Sequence, residues 1–78
     1  MEQSLNTLKE GQKAQITSSS AEGALSRRLL DFGLIEGTEI ACLRKSPAGS
    51  PILYLARGTM LALRKTDGAK IFVKLCRS

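Results

Sequence analysis

Ile52-Leu53-Tyr54-Leu55-Ala56-Arg57-Gly58-Thr59-Met60-Leu61-Ala62-Leu63 is the stretch on which the fold turns. It reads as two short strands joined by a two-residue connection. Gly58-Thr59 fits a type II′ turn, which needs a positive φ at its first central residue. That turn pairs Arg57 with Met60, Ala56 with Leu61, Leu55 with Ala62 and Tyr54 with Leu63. Because side chains alternate across a strand, Ile52, Tyr54, Ala56, Leu61 and Leu63 share one face. Leu53, Leu55, Arg57, Met60, Ala62 and Arg64 share the other. Both faces are largely apolar, and a small domain cannot easily bury both. The second face, with Leu53, Leu55 and Met60 bracketed by Arg57 and Arg64, is therefore the candidate partner-binding surface. Apolar anchors with arginine are the usual composition of binding hot spots. The competing reading is that barrel curvature, or the lead-in before Gly11, folds over this face and buries it.

Working outward, turn signals recur at Gly11, Gly33, Gly37, Pro47-Ala48-Gly49-Ser50-Pro51, Gly58-Thr59 and Asp67-Gly68. The segments between them are short and rich in Ile, Leu, Val, Thr and Tyr. Strands at this spacing with one helical interruption predict a mainly β fold, a small barrel or orthogonal sandwich. Lys13 to Thr17 is the first strand, Thr38 to Arg44 the second, and Ala69 to Cys76 the last. Leu5 to Gly11 is a tight lead-in turn with Leu5 and Leu8 as anchors. The single helix follows the first strand. Ser19 and Glu22 have capping-box spacing, and Ala21, Leu25, Leu29 and Phe32 form a stripe that can face a core. Gly33 stops the helix in the left-handed conformation, and Leu34 supplies the apolar contact of a Schellman motif.

Composition excludes much. The 78 residues carry twelve Lys and Arg against seven Asp and Glu, a formal charge of +5, with no histidine and no tryptophan. That length allows one domain, spanning 1–78, near the lower limit for a chain without metal or disulfide support. A hydrophobic fraction of 42% and a charged fraction of 24% are those of a globular chain. Without histidine there is no Ser-His-Asp or Cys-His triad. No P-loop, dinucleotide fingerprint or nucleophile elbow is present. The expectation is a protein that is not an enzyme and needs no cofactor. Cys42 and Cys76 lack C-x-x-C spacing and cannot complete a tetrahedral metal site, so no metal residues are assigned. They read as two buried thiols in a reducing compartment, with one disulfide between them as the alternative. No apolar run approaches the ~20 residues of a spanning helix. The start, Met1 to Asn6, lacks the basic and apolar regions of a signal peptide. The expected location is the cytoplasm.

Arg28-Leu29-Leu30-Asp31-Phe32-Gly33-Leu34, then Glu36-Gly37-Thr38, Ser46-Pro47-Ala48-Gly49-Ser50-Pro51-Ile52, Arg57-Gly58 and Ala62-Leu63-Arg64 resemble the ferrous iron transport protein A (FeoA) family. The resemblance runs from about Leu8 to Val73. It implies an SH3-like β-barrel with one inserted α-helix after the first strand, which agrees with the reading from turns and periodicity. It also implies a small cytosolic accessory of FeoB, the Fe²⁺ transporter with a G-protein domain, located at the inner face of the membrane through that transporter. The same barrel forms the C-terminal domain of iron-dependent repressors. No helix-turn-helix precedes it here, so the repressor role does not carry over. Two departures stand out. Ser50 occupies the acidic position of the family's Gly-Asp-Pro loop, and Leu53 and Leu55 stand where polar outward residues are usual.

Three functions follow as expectations. The leading one is a non-catalytic adaptor docking on the cytosolic part of a FeoB-like transporter, with a second copy as a further candidate partner. A nucleic-acid-binding barrel is motivated by the charge. Against it, Lys and Arg are dispersed in pairs, and Tyr54 and Phe32 are expected to point inward, which leaves little stacking platform. The third is a metal-binding regulator, a transition-metal sensor.

Overall fold

The computed structural model describes residues 2–76; Met1, Arg77 and Ser78 lie outside it. In chain order the elements are β1 (Glu2–Ser4), a 3-10 turn (Leu5–Thr7), β2 (Lys13–Ser19), α1 (Gly23–Asp31), β3 (Glu39–Lys45), β4 (Ile52–Ala56), β5 (Thr59–Leu63), α2 (Lys65–Gly68) and β6 (Ile71–Leu75). The six strands form one antiparallel sheet in the order β1-β6-β2-β3-β4-β5. The fold is mainly β and SH3-like, with α1 inserted after the long strand β2. β1 and α2 are not evident in the sequence pattern. β1 has three polar residues, and α2 is a single turn over what reads as a simple Asp-Gly bend.

Two ladders carry a shift of register, between Ile16 and Ser18 in β2 and between Cys42 and Arg44 in β3. Such bulges bend a strand and raise its twist, which lets one sheet curl around its own apolar face. The enclosed core holds Leu5, Leu8, Ile40, Cys42, Ile52, Tyr54, Ile71 and Val73, all essentially without exposure. Leu5 and Leu8 serve as the anchors expected of the lead-in.

α1 rests on this barrel by one residue. Leu29 is its buried side chain, with Leu25 and, just before the helix, Ala21 packed partly against the core. Phe32 does not complete the stripe; it is 40% exposed, because the helix has ended and residue 32 is its C-cap. The capping box does not form. Ser19 is still in β2, and its Oγ accepts from Ala21 N–H, while Glu22 is an N-cap with extended backbone and no side-chain bond. The C-terminus is as predicted. Gly33 has φ +74°, Leu34 N–H donates to Leu29 C=O at 2.8 Å, and Gly33 N–H donates to Leu30 C=O at 2.9 Å. These are the two bonds of a Schellman motif, and Leu34 is buried as its apolar lock.

The hairpin turn lies one residue earlier than expected. Ala56 pairs with Thr59, Leu55 with Met60 and Tyr54 with Leu61, so the connecting residues are Arg57 and Gly58. Both have positive φ, 53° and 77°, the sign pattern of a type I′ turn, whose twist matches the flanking strands. Moving a two-residue turn by one position moves every cross-strand partner by two. Period-two alternation is preserved, so the inward and outward sets on β4 and β5 are unchanged.

Candidate protein interface

The outward sides of β3, β4 and β5 form a continuous apolar surface. One row runs Ala41–Leu55–Met60 across the three strands, and a second runs Arg44–Leu53–Ala62. Met60 is 65% and Leu55 37% exposed, whereas Leu53 is half-buried. Neither the lead-in nor barrel curvature covers this face. Two shallow depressions flank it. One, of about 270 Å³, is lined by Arg44, Ser46, Pro47, Pro51, Leu53 and Ala62. The other, of about 230 Å³, is bordered by Lys13, Glu39, Ala41, Leu55, Arg57 and Gly58.

Of the five predicted site residues, Leu53, Leu55 and Met60 thus lie together. Arg57 is a turn residue rather than the end of a strand. Its side chain leans on the helix stop, where a Cβ at Gly33 would stand 2.8 Å from Arg57 Cδ. A non-glycine at φ 53° is uncommon, and this packing on Gly33 is a contact that accompanies it. Arg64 follows β5 and is the exposed N-cap of α2. The two arginines therefore stand at opposite ends of β5, although by a different construction from the one expected. Sequence reasoning missed Ala41 and Arg44, because only the β3–β4 register brings them alongside Leu55 and Leu53. It also missed the proline loop as a wall of the surface.

Ser50 resolves the departure in that loop. Its Oγ accepts from Lys65 N–H at 3.1 Å, so the hydroxyl holds the first residue of α2 from fifteen positions away. The start of α2 is thereby tied to the proline loop beside the candidate surface. Glu10 does similar work at the other edge of the loop, where its Oε2 accepts from Lys45 N–H at 2.8 Å.

The cysteines differ from expectation. Both are free, but only Cys42 is buried; Cys76 is exposed just past β6, where the barrel no longer covers the chain. Burial pushes the Cys42 thiol up and the Tyr54 phenol far up, and the two residues are cross-strand partners. Tyr54 Oη donates to Leu5 C=O at 3.4 Å, a long bond. Among the described residues no three His, Cys, Asp or Glu side chains converge, and no helix is long and apolar enough to cross a membrane.

A family model for the FeoA domain matches residues 3–75. The chain belongs to the FeoA family. A FeoA from Chlorobium tepidum, solved in solution, superposes with a TM-score of 0.90 at 38% identity, over 95% of this chain and 70% of that one. The zinc complex of FeoA from Stenotrophomonas maltophilia, a prokaryotic SH3 domain protein, gives a TM-score of 0.79 at 29% identity, over 91% of this chain and 88% of that one. A Porphyromonas gingivalis protein that fuses Fe(2+) transport protein A to the Fe(2+) transporter FeoB is 31% identical over 95% of this chain. The chain spans 9% of the length of that fusion.

Proposed function

We propose that this FeoA-family protein is a non-catalytic cytoplasmic adaptor of ferrous-iron uptake, which docks on a FeoB-type transporter through the outward face of β3–β5. One observation carries the reading: a relative that matches nearly the whole chain is covalently joined to FeoB. Fusion of two activities in one polypeptide supports their association when they are separate chains. The surface suited to it is an exposed apolar sheet face, Leu53, Leu55, Met60 and Ala62, with Arg57 and Arg64 at its ends. Contiguous exposed apolar area of this kind marks interaction sites in soluble proteins. Among the described residues the face presents mainly aliphatic side chains, which suits it to binding.

The test is co-purification of the full-length transporter in detergent with tagged wild type and with Leu55→Glu. Leu55 is exposed, so the variant should keep its circular dichroism spectrum and melting temperature within a few degrees. It should lose the transporter, because the contact would desolvate an unpaired carboxylate. Unfolding of the variant would show that Leu55 is core. Retention of the transporter by a folded variant would place the contact elsewhere. Steeply salt-dependent binding of RNA or DNA oligonucleotides by a protein that ignores the transporter would support the nucleic-acid reading instead.

A further inference from the structure

β5 ends the sheet. It pairs with β4 on one side and carries the open edge on the other. Natural proteins blunt such edges with charge, proline, bulges or brevity. The opposite edge follows that rule: β1 is three residues long, carries Glu2, and Glu2 Oε2 is tied to Thr17 Oγ1. β5 does not. Thr59-Met60-Leu61-Ala62-Leu63 has five residues with no charge and no proline, and its ladder to β4 runs without a register shift. Interior strands β2 and β3 are bulged, whereas β5 keeps an unbroken register. Met60 and Ala62 are the exposed apolar side chains of this edge strand, so an added strand would meet backbone donors and acceptors together with a place for its alternate side chains.

Charge selects the occupant. Arg57 precedes β5, and Arg64 and Lys65 follow it. In an antiparallel pairing of β5 with a second copy, the start of one strand would oppose the end of the other, bringing arginines together. The net charge of +5 on each copy adds to that repulsion. An acidic segment is favoured at both ends.

We propose that β5 receives, by strand addition, an extended protein segment with aliphatic side chains at alternate positions and a carboxylate at each end. Such a segment pairs about 17 Å of edge, places its aliphatic residues beside the outward side chains of Met60 and Ala62, and sets its carboxylates near Arg57 and Arg64. Main-chain bonds supply affinity and the alternate side chains supply selection, as in other strand-addition complexes. The assignment of this segment to a FeoB-type transporter rests on the docking reading above.

Amide hydrogen exchange decides it, with the full-length transporter in nanodiscs and, separately, with the synthetic peptide Glu-Thr-Val-Thr-Val-Thr-Glu, whose valines and glutamates share one face. The β5 amides that point away from β4 should gain protection with both. Replacing the two terminal glutamates of the peptide by lysine should weaken it about tenfold, the size that two exposed ion pairs supply. Met60→Glu, at an exposed edge position, should melt normally and weaken both ligands by roughly tenfold or more. Transporter binding without protection of β5 overturns strand addition and leaves the docking reading standing. Protection of β5 by the peptide but no binding of the transporter supports the strand site and removes the docking reading. Protection that rises with protein concentration alone makes a second copy the occupant and overturns the acidic segment. No protection by either ligand overturns the proposal.

Discussion

Leu29 and Leu30 are neighbours of the same type on the same helix, yet one is 4% and the other 63% exposed. Truncating each to alanine separates tertiary anchoring from helix propensity, since alanine is the better helix former at both sites. Leu→Ala at a buried site costs about 2–5 kcal/mol. Leu29 is the buried residue of α1, and its neighbours Ala21 and Leu25 are only partly packed, so the helix can settle towards the barrel. That places the expected cost in the lower half, about 2–3 kcal/mol. A domain of this length holds about 4–12 kcal/mol in total, and each kcal/mol moves the melting temperature by about 4–8 °C. Leu29→Ala should therefore melt about 8–24 °C below wild type by circular dichroism, and Leu30→Ala within a few degrees of it. Equal shifts for the two variants would refute the view that α1 is held to the barrel by Leu29.

Further outcomes follow from the loop, the turn and the two buried titratable groups. Ser50→Ala should destabilise by about 1 kcal/mol in urea unfolding, as lost N-terminal caps do, whereas Ser50→Asp, which restores the acidic loop residue, should be at least as stable as wild type because its carboxylate accepts the same Lys65 N–H. Gly58→Ala at φ +77° should cost about 1–2 kcal/mol, the penalty of a left-handed L-residue; an unchanged midpoint would show that the turn is not set by this residue. Burial raises the thiol of Cys42 and the phenol of Tyr54, so the folded chain keeps protons that the unfolded chain releases. Their contribution is fully present at lower pH and is lost as pH rises above the ordinary thiol and phenol values, about 8.5 and 10. Tyr54→Phe should flatten the alkaline loss of stability above about pH 10. In native protein a thiol reagent should titrate Cys76 at once and Cys42 only after denaturant, and equal rates would contradict the burial of Cys42.

The features legible in the amino-acid order lie where the controlling interactions are local. The Schellman stop at Gly33-Leu34, the alternation that puts Ile52, Tyr54 and Ala56 inward, and the anchors Leu5 and Leu8 all depend on residues within a few positions of one another. Even the misplaced turn left the inward and outward sets intact, since a two-residue shift of partners respects the period of a strand. The family was legible for the same reason: its turns and helix stop are written in short runs. Tertiary structure alone decided the rest. Phe32 and Cys76 are apolar by type, yet they stand where the barrel does not reach, and no local pattern records that. Ser19 lost its cap because pairing with Ile71 keeps it in β2, a contact made across fifty-two positions. Ser50 took over the start of α2 by folding back from another loop. The candidate surface is of the same kind: Leu53, Leu55 and Met60 are visible in the sequence, but their exposure, the row completed by Ala41 and the open edge of β5 follow from strand order, which no short stretch of chain encodes.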